Sequence, residues 1–295
     1  MLRVSETWKH EYKDANGVRF HCVTEGEGEL VLLLHGFPEN HYSWRYQMSA
    51  LGEHYKVIAP DLRGYNLTER KPPYDILTLC DDVLGLIRAY GREQAVIVGH
   101  DWGAIILWSF ALQYPQACRR LIALNVSFIP RGPKPPLEIL TDARFDYIRF
   151  FQRPGDAEAF IGADVDGFIR NAFMSNASRK NFIDEDELRV FADGFRGGPE
   201  AVAPAINYYR NFNHNWEITA HHASRQILTP TLMLLAEHDP VLPPSMADGI
   251  TKYVPNVTVR RLDCGHWTQQ EAPEETNRLI LDFLADLPGD RRSAN

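Results

Sequence analysis

The stretch GHDWG at residues 99–103 decides the fold of this chain. It follows the apolar run QAVIVG and precedes the apolar run AIILWSFAL, which predict a buried strand and a buried helix. Glycines flank the turn on both sides, as a tight turn that lifts one side chain above a sheet requires. Many hydrolases carry a serine at the centre of such a turn, whereas this chain has Asp101. We therefore expect a strand-turn-helix unit that presents a carboxylate.

Short β-rich runs recur before and after this turn. Asn16-Gly17 joins the first two runs and is a hairpin signal, so the sheet is expected to begin antiparallel. Later runs such as VLLLH are continuously apolar, which is typical of strands buried on both faces between helices. The pattern predicts an α/β fold with an eight-stranded, mostly parallel, doubly wound sheet. The candidate strands are Thr7–Lys13, Val18–Thr24, Leu30–His35, Lys56–Pro60, Ala95–Gly99, Leu121–Asn125, Thr231–Ala236 and Thr258–Leu262.

One helix is predicted with particular clarity between residues 76 and 90. Its apolar residues repeat at spacings of three and four, so this helix should pack on the sheet. Asp81, Asp82 and Arg88 lie off the apolar stripe and are expected to face away from the core.

The alternation of strands and helices stops near Ser127 and resumes near Leu228. The intervening segment opens with a proline-rich stretch and continues with helix-like runs rich in phenylalanine. We interpret it as a helical cap inserted after strand 6, above the carboxyl ends of the strands, where open α/β sheets place their sites. The predicted division is a core of residues 1–128, a cap of residues 129–227 and a second core segment of residues 228–295.

Composition limits the class of partner and the compartment. A formal charge of -8 and a pI near 5.8 argue against nucleic acid as a partner. The sequence has neither the apolar region of a signal peptide nor a run long enough to span a membrane. Four scattered cysteines without a C-x-x-C pair indicate free, mostly buried thiols. These features together favour a cytoplasmic protein.

Metal chemistry is not expected in this chain. The histidine pair His221-His222 and the neighbours His238-Asp239 are the obvious candidates among eleven histidines, but neither has the ligand spacing of a known metal motif. We therefore expect no metal and no cofactor.

The residues at the strand ends predict nucleophilic catalysis by Asp101. A carboxylate can displace a leaving group from saturated carbon, and water can then cleave the resulting ester. His266 follows the last predicted strand and is the candidate base that activates this water. Asp239 follows the preceding strand and can orient His266 and stabilise its imidazolium. The substrate should carry an electrophilic sp3 carbon, such as an epoxide or an alkyl halide.

The run His35-Gly36-Phe37-Pro38 supplies a further element after the strand VLLL. We expect the backbone N-H groups of Phe37 and Trp102 to form an oxyanion hole during hydrolysis of the Asp101 ester. Because a tight turn precedes Pro38, a cis Phe37-Pro38 bond is predicted.

These motifs, together with the inserted cap, resemble the α/β-hydrolase superfamily and more closely the soluble epoxide hydrolases. The segments HGFPENHYSWRYQ, APDLRGYNLTER, VGHDWGA, FDYIRFFQRPG, NYYRNF and DCGHWTQQEAPEE carry the resemblance, which runs across nearly the whole chain. Asn66 departs from the glycine more usual in the DLRGYG motif, which puts the conformation of that loop in question. The extra N-terminal domain of the vertebrate enzymes is not expected before the first strand.

The resemblance implies a pair of cap tyrosines that bind the epoxide oxygen and protonate it. By motif match these are Tyr147 in FDY and Tyr209 in NYYRN, with the neighbouring Tyr208 as an alternative to Tyr209. Phe37, Trp102 and the two tyrosines would line the substrate pocket. The implied enzyme is an epoxide hydrolase, a hydrolase of ether bonds with a role in detoxification, acting on a small apolar epoxide. The oligomeric state stays open, with a homodimer as one alternative.

Two other functions stay open. Haloalkane dehalogenases share the aspartate and the tryptophan after it, but usually add an asparagine in the HGNP loop or a second tryptophan. Here the loop residue is Phe37, and the role of the cap residue Trp216 is not fixed by the sequence. A non-catalytic receptor with the same fold is the third hypothesis, and the complete set of catalytic residue types argues against it.

Overall fold

The computed structural model describes residues 8–285, so Thr7 and the outer ends of the two predicted core segments lie outside the described residues. Within this range the strands form one eight-stranded sheet in the order β1-β2-β4-β3-β5-β6-β7-β8. The strands are β1 (Lys9–Ala15), β2 (Val18–Glu25), β3 (Leu30–Leu34), β4 (Lys56–Pro60), β5 (Ala95–His100), β6 (Cys118–Leu124), β7 (Thr231–Ala236) and β8 (Val257–Leu262).

The sheet has the predicted mixture of strand directions. β2 pairs antiparallel with β1 and β4, and the remaining neighbours are parallel. Asn16 and Gly17 close the first hairpin with φ of 47° and 71°, the positive values that such a two-residue turn needs. The predicted fold class is confirmed, with differences at strand ends: β6, for example, begins at Cys118 and not at Leu121.

Helices connect the strands of the sheet and also make up most of the segment inserted after β6. The helices α4 to α10 lie between β6 and β7, as expected for the inserted helical segment. The helices are α1 (Arg45–Gly52), α2 (Ile76–Ala89), α3 (Trp102–Gln113), α4 (Pro136–Ile139), α5 (Asp146–Phe151), α6 (Asp156–Ala163), α7 (Val165–Asn176), α8 (Glu185–Asp193), α9 (Pro199–Arg210), α10 (Phe212–Ile218), α11 (Thr268–Glu271) and α12 (Pro273–Leu284).

Helix α2 begins where the sequence predicts, with one correction on its polar face. The Asp75 side chain caps its first turn by accepting the Leu77 and Thr78 N-H groups. Asp82, which we expected to face away from the core, is buried. Its carboxylate accepts hydrogen bonds from Arg63 Nε at 2.6 Å and from Asn16 Nδ2 at 2.8 Å. Burial of this carboxylate is possible because both partners compensate for its lost hydration.

Other expectations concern the cysteines, one loop and the membrane. All four cysteines are free and buried, as predicted. Asn66 has φ of 45°, a left-handed conformation that asparagine tolerates better than most residues, so the loop keeps the backbone that glycine usually provides. Between residues 8 and 285 no helix combines the length and apolar character needed to cross a bilayer.

Candidate active site

The turn at Asp101 is sharp and depends on glycine, which has no side chain, at positions 99 and 103. Asp101 has φ of 50° and ψ of -118° between β5 and α3. A Cβ atom added to Gly99 would lie 2.3 Å from the Gly103 carbonyl oxygen, and one added to Gly103 would lie 2.0 Å from the Leu34 carbonyl oxygen. Both glycines are therefore needed for this packing, which places the Asp101 side chain at the cavity described below.

One oxygen of Asp101 already contacts a predicted oxyanion-hole donor. The Phe37 N-H donates to Asp101 Oδ1 over 2.8 Å. The Phe37-Pro38 peptide bond is cis, as predicted. Trp102 is the first residue of α3, where a helix leaves backbone N-H groups without partners inside the helix. The structure thus brings Phe37 and Asp101 together and places Trp102 directly beside them.

The predicted histidine and its acid partner meet on the other side of Asp101. His266 Nδ1 lies 2.7 Å from Asp239 Oδ2, and His266 Nε2 lies 4.0 Å from Asp101 Oδ2. Burial alone would lower the pKa of His266, but the charges of Asp239 and Asp101 outweigh it and raise that pKa to about 9. Burial opposes ionisation of Asp239, yet His266 holds the pKa of Asp239 well below its usual range. The pair is arranged to stabilise an imidazolium.

Asn125 is a site residue that the sequence reasoning did not single out. It follows β6, and its Nδ2 donates to Asp239 Oδ2 at 2.8 Å and to the His266 carbonyl at 2.9 Å. Thr268 Oγ1 donates to the side-chain oxygen Oδ1 of Asn125 at 2.6 Å. The sequence signal that could have identified Asn125 is its position directly after a strand, the same signal that identified Asp239. Asn125 therefore fixes the position of Asp239 relative to the loop that carries His266.

A buried Glu39-His100 pair, which the sequence analysis also did not identify, holds two loops of the site together. His100 Nδ1 lies 2.9 Å from Glu39 Oε2, and His100 Nε2 lies 2.8 Å from the carbonyl oxygen of His266. Glu39 also accepts the Gly36 N-H at 2.9 Å and the side-chain amide of Gln270 at 2.8 Å. Burial opposes ionisation of Glu39, but His100 and the Gly36 N-H keep its pKa below the usual value. The pair ties the Phe37 loop to the His266 loop.

Replacing Glu39 with glutamine should destabilise the fold. The amide would face the donors that now contact the carboxylate, and His100 would lose its charged partner. We expect the free energy of unfolding to fall by about 3 kcal/mol, the upper end of the cost of leaving buried hydrogen-bonding groups without their partners. Urea denaturation measures this, with Glu53→Gln as the matched control because Glu53 is exposed. Equal stability of the two variants would show that the Glu39 network is not needed.

The two predicted tyrosines come from different helices of the segment inserted after β6, and their rings meet edge to face. Tyr147 lies on α5 and Tyr209 on α9, with ring centroids 5.7 Å apart. Tyr209 is buried and Tyr147 is 36% exposed. Loss of hydration at the cavity raises the pKa of both phenols above the ordinary value of about 10, and the charge of Asp101 raises both further. Both tyrosines therefore keep their protons at neutral pH while lying within electrostatic range of the carboxylate.

Tyr208, the alternative to Tyr209, points elsewhere. Its hydroxyl donates to the carbonyl oxygen of Arg63 over 2.8 Å in a buried position. Tyr209 packs its ring against Phe37 and Trp102 at centroid distances of 5.4 and 5.1 Å and lines the cavity. The geometry therefore favours Tyr209 over Tyr208 as the residue that faces Asp101.

A cavity of about 650 Å³ connects these groups. Asp101, His266 and both tyrosines line it together with aromatic side chains. Trp216, whose role the sequence left open, also lines it: its indole N-H donates to the Gly132 carbonyl at 3.1 Å, and the Arg131 guanidinium lies 3.6 Å from its ring centroid. Trp216 thus fixes the proline-rich segment at the cavity wall.

Comparison with known proteins relates this site to a family. Residues 29–273 match the alpha/beta hydrolase fold family. Bifunctional epoxide hydrolase 2 of Sus scrofa is 36% identical over an alignment covering 91% of this chain and 53% of that protein, so the chain spans about half the length of that relative. Epoxide hydrolase A of Mycobacterium tuberculosis (strain ATCC 25618 / H37Rv) is 36% identical, with 93% of this chain and 96% of the relative covered.

Solved structures agree with these sequence matches. The crystal structure of an epoxide hydrolase from Vigna radiata superposes with a TM-score of 0.87 at 32% identity, covering 96% of this chain and 99% of that one. Epoxide Hydrolase A from Mycobacterium thermoresistibile gives a TM-score of 0.87 at 33% identity, covering 96% and 100%. The chain belongs to the epoxide hydrolase family of the alpha/beta hydrolase fold.

Proposed function

We propose that this protein is an epoxide hydrolase that converts an epoxide and water into a vicinal diol through a covalent ester on Asp101. The observation that carries the proposal is the meeting of four groups at one cavity. Asp101, His266, Tyr147 and Tyr209 come from two core loops and two cap helices, and all of them line that cavity. Family membership and the names of the relatives support the same reaction class.

In the first step Asp101 Oδ2 attacks one ring carbon. A new ester bond forms, the carbon-oxygen bond of the ring breaks, and the departing oxygen takes a proton from Tyr147 or Tyr209. A strained ring expels a strongly basic alkoxide, and a phenol that is still protonated at neutral pH is a suitable acid for it. The raised pKa values of both tyrosines support this assignment.

In the second step water attacks the ester carbonyl. His266 takes one proton from this water, and negative charge develops on the carbonyl oxygen. Asp101 Oδ1 lies 2.8 Å from the Phe37 N-H, so this N-H, with that of Trp102, is proposed to stabilise the oxyanion. Collapse of the intermediate expels the diol, which receives the proton from His266. The proton left on the Asp101 carboxyl returns to the tyrosine through solvent.

Product analysis tests the proposal. The enzyme is incubated with styrene oxide and, separately, with 1-chlorohexane. We expect the diol from the epoxide and no chloride from the haloalkane, because two phenols line the cavity beside Asp101 and Phe37 stands where haloalkane dehalogenases usually carry an asparagine. Chloride release without diol would make the protein a haloalkane dehalogenase. Thermal stabilisation by a panel of epoxides without any turnover would favour the receptor hypothesis.

The pH dependence of the second step follows from the charges around His266. In the free enzyme the Asp101 carboxylate helps to raise the pKa of His266 to about 9. Ester formation removes that charge, so the pKa of His266 should fall. Because the base must be neutral, ester hydrolysis in single-turnover experiments should speed up with rising pH and level off below pH 9. A rate that declines over the same range would contradict His266 as the base.

Three further expectations belong to this proposal. The helices between β6 and β7 supply Tyr147 and Tyr209, which supports residues 129–227 as the cap. Aromatic lining around Asp101, including Phe37, Trp102 and Phe151, supports an apolar substrate. Four free, buried cysteines are compatible with a reducing cytoplasmic location.

A further inference from the structure

A second cluster of functional side chains lies outside the cavity. His10 on β1, His21 on β2 and His41, which follows the Phe37 loop, surround Asp61 at the end of β4. None of them lines the cavity around Asp101. His21, His41 and Asp61 are buried, whereas His10 is exposed on the edge strand and gives solvent a route to the cluster.

The three imidazoles form a compact triangle. The ring centroids of His21 and His41 are 5.0 Å apart, those of His10 and His21 are 5.2 Å apart, and those of His10 and His41 are 5.7 Å apart. Imidazoles that share a tetrahedral Zn²⁺, with zinc-nitrogen bonds of about 2.0–2.1 Å, have ring centroids about 5 Å apart. The centroid separations are therefore close to those of a three-histidine zinc site. The ligand atoms that lie within 4.8 Å of one another in this structure are those of His21, His41 and Asp61, so His10 has to turn to complete the set.

Asp61 is placed to orient two of these rings. Its Oδ2 lies 2.8 Å from His21 Nδ1, and its Oδ1 lies 2.8 Å from His41 Nδ1. A carboxylate in this position favours a proton on Nδ1 and leaves the lone pair on Nε2. This is the usual arrangement of a metal-binding histidine, whose second nitrogen donates to a carboxylate. Asp61 would thus orient the ligands without itself binding the metal.

The contact between His10 and His21 shows where a metal would enter. His10 Nδ1 lies 3.0 Å from His21 Nε2. Two imidazole nitrogens at this separation share either a proton or a cation that both coordinate. Because His10 is exposed, its ring can turn so that one of its nitrogens joins those of His21 and His41 at a metal.

We propose that His10, His21 and His41 form a binding site for a transition-metal cation of the Zn²⁺ class, with Asp61 orienting His21 and His41. Solvent would occupy the fourth position on the side of His10. The site joins β1 and β2 to the segment after the Phe37 loop, so bound Zn²⁺ should stabilise the fold. It is separate from the proposed epoxide chemistry and does not depend on it.

Zinc titration of the whole protein, with any affinity tag removed, tests the proposal. Competition with a chromophoric chelator gives stoichiometry and affinity, and a thermal melt gives the stabilisation. We expect one Zn²⁺ per chain and a higher melting temperature. In His10→Gln the affinity should fall at least about tenfold, since the loss of even an outer partner of a metal ligand has this effect. His10 is exposed, so the variant should fold, and its own melt without zinc verifies that.

A matched variant separates this site from the other histidine pair. The rings of His221 and His222 are 4.0 Å apart, and both approach Gln113 Oε1. His221→Gln should bind zinc like the unaltered chain. Zinc binding that is lost in His221→Gln and kept in His10→Gln would overturn the proposal. So would the absence of zinc binding in the unaltered chain.

Discussion

Replacing Asp101 with alanine is expected to abolish epoxide turnover. In the proposed mechanism this carboxylate forms the only covalent bond to the substrate, and its Oδ1 becomes the ester carbonyl. Without it no ester forms, and water would have to open the ring without a base placed for that purpose. We expect kcat to fall by at least about 10⁴-fold, the scale seen when a nucleophile is removed from a catalytic set. Steady-state diol formation measures the loss.

The control for Asp101→Ala is the same substitution at an exposed aspartate. Asp248 lies on the surface, so Asp248→Ala should leave the rate unchanged. Circular dichroism and a thermal melt verify that both variants fold. A folded Asp101→Ala variant with the rate of the control would end the assignment of Asp101 as nucleophile.

Removing both cap phenols should nearly stop ring opening. Tyr147→Phe and Tyr209→Phe each leave one phenol near the reacting oxygen, so each single variant should retain part of the rate. The double variant leaves no acid for the departing oxygen. General acid catalysis contributes about 10²–10⁴-fold, and we expect a loss of this size in the rate of ester formation, measured by rapid mixing under single-turnover conditions.

Tyr208→Phe is the matched control for the tyrosine pair. It removes a phenol from the residue next to Tyr209, but this hydroxyl donates to the Arg63 carbonyl and does not line the cavity. We expect a small loss of stability and an almost unchanged rate of ester formation. If Tyr208→Phe reduced that rate as strongly as Tyr209→Phe, the assignment based on side-chain direction would be wrong.

The sequence was informative where local pattern and strand position determine structure. Continuous apolar runs predicted the sheet, the Asn16-Gly17 pair predicted the first hairpin, and glycines at 99 and 103 predicted the turn at Asp101. Asp239 and His266 were found because each follows a strand of a parallel sheet, where carboxyl ends gather. The 2.7 Å contact between their side chains agrees with that reasoning.

The remaining site residues depend on contacts between distant segments. Glu39 and Gln270 are far apart in the chain, yet their side chains lie 2.8 Å apart. Asp82 reads as a solvent-facing helix residue until Arg63, on a separate loop, is known to cover it. Tyr208 and Tyr209 are adjacent and chemically equal, so the orientation of α9 was needed to separate them. Pairing of this kind has no periodic signature that a single sequence reveals.

The most direct test of the account is the intact mass of a His266→Gln variant after incubation with an epoxide. Without the base, hydrolysis should become slower than ester formation, and the intermediate should accumulate. The account predicts a mass increase equal to the whole epoxide, located on the peptide that contains Asp101 and absent from the Asp101→Ala/His266→Gln double variant. If diol forms at the normal rate and no adduct appears, or if the adduct lies on another residue, the covalent mechanism through Asp101 is contradicted.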